Sequence, residues 1–120
     1  MSPPLERFEG AVQALIADGP VKQRLVRAYT EYLEDVLEVE IPVSAGGALN
    51  ELHEALHRVA PSGNETPVKA SVQKMSTGEA AWHAGTILRL YVELLTQPRR
   101  VEPLKVVETV PLPQFLAGGG

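Results

Sequence analysis

Residues 53 to 57 read His-Glu-Ala-Leu-His. Histidines four apart on a helix share one face, where two imidazoles can hold Zn²⁺ while the intervening glutamate activates a metal-bound water. The chemistry open to these residues is metal-assisted hydrolysis, with His53 and His57 as ligands and Glu54 as general base. Two histidines under-coordinate a catalytic zinc, so a third protein ligand is required. The remaining histidine, His83, and Glu79 one turn before it are the candidates. His83 is preferred, because Glu79 sits where it would cap a helix.

The pentapeptide resembles the metal-binding signature of the zincin metallopeptidases, over five residues and no more of the chain. The resemblance implies zinc ligation by His53 and His57 and water activation by Glu54, on a helix whose flanks are usually uncharged. This chain departs from that pattern with Glu51 and Arg58. At 100° per residue, Ala45, Leu49, Leu52, Leu56 and Val59 define an inward stripe, and both histidines fall roughly 90° to 130° from its centre. A surface helix with a polar margin accounts for the same residues, and it is the preferred reading. No cofactor is then expected, and a zinc hydrolase is the alternative.

No other group of residues assembles a mechanism. Ser44, Ser62, Ser71 and Ser76 lack the context of a nucleophile elbow, and Asp18 and Asp35 fall near helix ends or on a solvated face. Trp82 points instead to binding. On its helix it lies nearly opposite the inward stripe, near Gly85, Arg89 and Glu93, as an anchor for a partner would. The competing reading is a central helix buried all round, since Leu90 and Val92 also lie off the main stripe.

The elements that must position these residues are helices. Apolar periodicity and stop signals predict five, near residues 3–17, 20–38, 45–59, 67–75 and 77–97. Pro3-Pro4 suits a helix start and Gly19-Pro20 a stop. The second helix carries a wide stripe from Val21 through Leu25, Tyr29, Leu33 and Val36 to Leu37, with Arg24, Arg27, Glu31 and Glu34 opposite. Val39 to Val43 is too short for a helix and reads as a connector or brief edge strand, after which Ser44 can cap the third helix. Ser76-Thr-Gly-Glu79 forms a capping box ahead of the longest helix, whose stripe is Ala80, Ala84, Ile87, Leu88, Tyr91, Leu94 and Leu95. Leu25, Leu33, Leu52, Leu56, Ile87, Tyr91 and Leu94 are expected to share one core.

The fold class is therefore all-α: a compact bundle of about five helices over residues 1–100, followed by an extended Pro-rich apolar tail over 101–120. Pro103, Pro111 and Pro113 rule out a continuous helix in the tail, yet Val106, Val107, Val110, Leu112, Phe115 and Leu116 are too apolar for an idle linker. A chain of 120 residues makes one modest core without metal or disulfides. Net charge is −4 and the densest basic cluster is Arg99-Arg100, which argues against nucleic acid as a partner. Cysteine is absent, and no apolar run approaches the roughly 18 residues of a membrane span. These features give a cytoplasmic, non-enzymatic interaction or regulatory module. Trp82 and the apolar residues of the tail would contact a protein partner or a second copy.

Overall fold

In a computed structural model, which describes residues 3–97, the regular structure is entirely helical and no strand occurs among the described residues. Five helices follow in order: α1 (Pro4–Leu15), α2 (Val21–Ala28), α3 (Val43–Ala55), α4 (Pro67–Lys74) and α5 (Thr77–Thr96). A π turn, Tyr29–Leu33, prolongs α2, and a 3₁₀ turn, Glu38–Glu40, precedes α3. The tail residues 101–116 lie outside the described residues, as do Pro98, Arg99 and Arg100.

Proline in the first turn of α1 costs no hydrogen bond, because that turn has no intrahelical acceptor for its donors. Phe8, Ala11 and Leu15 recur at helical spacing and are buried. The chain reverses at Gly19, whose φ of +113° is a conformation that favours glycine. Arg24 of α2 then reaches back to this corner. Its Nε donates to the Gly19 carbonyl at 2.7 Å and its Nη1 to the Leu15 carbonyl, satisfying an acceptor left open at the helix end.

In the π turn the Glu34 amide donates to the Tyr29 carbonyl five residues back, at 2.9 Å. Such turns insert one residue into a helical repeat and re-aim the side chains that follow. Tyr32 packs directly onto α1: a Cβ on Gly10 would collide with its ring, so the approach needs glycine. Arg7 clamps the same contact, its Nε donating to the Tyr32 carbonyl at 2.7 Å and its Nη2 pairing with Asp35.

One cluster forms the core. It joins Phe8 and Leu15 of α1 with Leu25, Tyr29 and Leu33 of the second helix, Leu49 and Leu52 of α3, Val68 and Val72 of α4, and Ile87 and Leu90 of α5. Of the seven core residues expected from periodicity, Leu25, Leu33, Leu52, Leu56 and Ile87 are buried in it, while Tyr91 and Leu94 pack against it partly exposed. Helix α5 meets α1, α2 and α3. That three-sided packing centres its buried stripe on Ala80, Ile87 and Leu90, so Leu88 and Leu95, expected inward, fall outside the core's edge.

Other expectations are corrected at element ends. The second helix ends with the π turn at Leu33 rather than reaching Glu38, and Leu37 is exposed. The connector is a 3₁₀ turn and not a strand; it brings the Glu38 side chain over Gly46, where a Cβ would stand 2.9 Å from its Cγ. Helix α3 starts at Val43 with Pro42 at the cap, so Ser44 is inside the helix, and its hydroxyl donates to Glu93 of α5 at 2.5 Å.

The capping box at α5 is present as expected: the Glu79 amide donates to Ser76 Oγ at 3.0 Å, and the Ser76 amide to Glu79 Oε1 at 3.0 Å. Replacing Ser76 by alanine should cost about 1 kcal/mol, the usual loss for an N-cap hydroxyl. Urea unfolding measures it, and an unchanged midpoint would show that the cap adds nothing to α5.

Candidate functional site

The five residues His53 to His57 do not share one helix. Helix α3 ends at Ala55, Leu56 is its cap, and His57 lies in the following turn. The ending has a local cause. The His57 amide bonds the Glu54 carbonyl at 3.2 Å, three residues back, which leaves the His53 carbonyl without its ordinary helical donor. The His57 side chain fills that role, its Nδ1–H donating to the His53 carbonyl at 2.8 Å. Its other nitrogen, Nε2, stands 3.3 Å from Glu34 Oε2. His57 therefore closes the helix it was expected to share with His53.

His53 is held on both sides. Its Nε2–H donates to the Val36 carbonyl at 2.8 Å, and Nδ1 lies 2.5 Å from the Tyr29 hydroxyl. A carbonyl only accepts, so Nε2 carries the hydrogen, and in the neutral ring Nδ1 accepts from Tyr29. The Tyr29 ring meets both imidazoles edge to face, with centroids 5.6 Å from His53 and 5.8 Å from His57. Burial, and then the Glu34 carboxylate, hold the Tyr29 phenol well above its ordinary range. Tyr29 is thus a neutral donor across ordinary pH.

These contacts do not fit a zinc centre. A ligating imidazole needs a free nitrogen lone pair, and both His53 nitrogens are engaged with protein. Glu54 is exposed and accepts a 3.5 Å contact from Asn50 Nδ2. His83 stands on α5, half-buried; burial first, and then the nearby Arg58, lower its pKa, against an opposing pull from Glu79. It does not join His53 and His57: among the described residues no three His, Asp or Glu side chains are grouped so as to hold a metal. What the sequence did not reveal is Tyr29. Its five-residue relation to Glu34 depends on the π turn, which has no apolar-periodicity signal.

Trp82 lies where helical geometry places it, on the outer face of α5 and 63% exposed. The Arg89 guanidinium stacks over its ring at 4.7 Å from the centroid, covering one face. Beside this pair runs a row that the sequence reading had divided between core and surface. Ala81, Gly85, Leu88, Val92 and Leu95 follow one another at intervals of four, three, four and three, the spacing of a helix-pairing seam. Leu88, Val92 and Leu95 are 48, 48 and 53% exposed. No helix among the described residues is long and apolar enough to cross a membrane. No protein-family model, curated protein or solved structure matches the chain.

Proposed function

We propose that this protein is a non-enzymatic interaction module that associates with itself through the outer face of α5. The observation that carries the reading is the half-exposed row Leu88, Val92 and Leu95 on the longest helix, set at pairing intervals and separate from the core stripe. Its small residues, Ala81 and Gly85, stand at one end and its large ones at the other. Two copies running antiparallel about Leu88 would set Ala81 against Leu95 and Gly85 against Val92, with Leu88 meeting Leu88 at the centre and Trp82 and its Arg89 partner at the margin. In the same proposal Val106, Val107, Val110, Leu112, Phe115 and Leu116 add apolar contacts to the partner. The partner class is a protein, not nucleic acid, in keeping with the net charge of −4.

The test is the mass of the full chain in solution by light scattering, followed by the double substitution Leu88→Asp and Val92→Asp. Wild type should sediment and scatter as a dimer. The variant should dissociate with a Kd raised at least roughly tenfold, about 1.4 kcal/mol of association free energy. Circular dichroism should be unchanged, since neither side chain is in the core. A wild-type monomer at every soluble concentration would refute the reading.

A further inference from the structure

At the far end of the bundle from the capping box, α5 runs out beside a groove of about 570 Å³. Leu5, Ile41 and Leu94 give it apolar walls, and Gln97, the last described residue, is part of its lining. Pro3, Pro4 and Pro42 also line it and offer no backbone N–H. An occupant is therefore recognised by its side chains rather than by a ladder of hydrogen bonds. Glu40 stands at the groove and Glu38 on the same 3₁₀ turn, so its charge is acidic.

The chain leaves the described bundle at this point. The next residues are Pro98, Arg99, Arg100, Val101, Glu102, Pro103 and Leu104. We propose that the groove seats this segment of the same chain, with Val101 and Leu104 against the Leu5, Ile41 and Leu94 walls and the arginine pair beside Glu40.

Three observations support the assignment. The first is reach: Leu104 is seven residues past Gln97, itself part of the lining, and an extended chain of that length spans about 23 Å. The second is backbone chemistry. Pro98 and Pro103 disfavour continuation of α5 and favour an extended polyproline-like path whose polar groups stay solvated, which suits walls that lack donors. The third is charge, since the Arg99-Arg100 pair begins two residues past Gln97, on a groove whose lining also carries Glu40. Docking in this way leaves residues 106–116 beyond the groove and free for a partner; it shares Leu95 with the α5 row but does not require that two copies associate there.

Cysteine is absent from the sequence, so a single engineered disulfide pair reports the contact cleanly. Val39→Cys, at an 87% exposed position on the groove, is paired with Lys105→Cys in the full-length chain. Under mild oxidation the pair should close within one chain, read as a fast-migrating monomer on a non-reducing gel. Adding Val101→Asp and Leu104→Asp should slow closure at least roughly tenfold, through loss of the effective concentration that docking supplies. Arg99→Glu with Arg100→Glu should slow it too, and Glu40→Arg should restore the rate. Closure rates that ignore all of these substitutions would overturn the proposal. A disulfide between chains, detected with two differently tagged copies, would also overturn it and assign the groove to a second copy's tail. Because oligomeric mass is not the readout, failure here leaves the α5 association separately tested.

Discussion

Truncating Leu56 to alanine should lower the unfolding free energy by about 2–5 kcal/mol, the range for a buried leucine whose surroundings relax only partly. Leu56 is fully buried in the shared core and is also the cap residue at which α3 ends. Both roles depend on the same packing. The side chain fixes where the chain turns out of the helix, and that turn delivers His57 to the His53 carbonyl. The chain just past Leu56 has little freedom to close on the missing atoms, because the Val59 amide donates to the buried Ser71 Oγ at 2.9 Å. The loss should therefore fall in the upper part of the range. Urea unfolding measures it as a shifted midpoint with an unchanged slope. A loss within measurement error would mean that the α3 stripe is not part of the core.

The limits of legibility follow from which forces act locally. Five helices could be read because Phe8 and Leu15, Leu25 and Leu33, and Leu49 and Leu52 recur at a helical period, and because Ser76 and Glu79 satisfy one another within three residues. Positions decided by contacts across the bundle were not legible. The α3 start moved to Val43, and Ser44 found Glu93 some fifty residues away. Leu88 and Leu90 differ by two positions, and the choice of which is buried is made by α1, α2 and α3 closing on α5 from their own directions. At the candidate site the cause is local instead, a choice among neighbouring carbonyls that apolar periodicity does not record. Spacing placed His53 and His57 on one face of a continuous helix, but the competition between the His57 amide and its imidazole for nearby carbonyls ends the helix between them. Trp82 was legible as outward because its direction follows from the α5 register alone.

Replacing His53 by alanine should cost about 1–3 kcal/mol, because it strands two polar groups rather than one. The Tyr29 hydroxyl, on a fully buried residue, loses its acceptor, and the carbonyl of buried Val36 loses its donor. The mechanism predicts a particular coupling. Tyr29→Phe alone should destabilise by about 0.5–1.5 kcal/mol, whereas in the His53→Ala background the same change should be neutral or stabilising, since it removes a hydroxyl already left unpaired. Additive losses in the double variant would show that the two side chains act separately. The tyrosine also supplies a pH signature. Its folded pKa is raised, so the folded state holds the phenolic proton more tightly than the unfolded chain does. That stability is fully present below the ordinary phenol value of about 10 and is lost as pH rises above it. Alkaline destabilisation should accordingly be weaker in Tyr29→Phe than in wild type. A zinc ligand would behave otherwise: a chelator would destabilise the wild-type protein, and loss of His53 would release stoichiometric metal. Metal content and the double-mutant cycle together thus separate a histidine that joins the π turn to α3 from one that serves a metal.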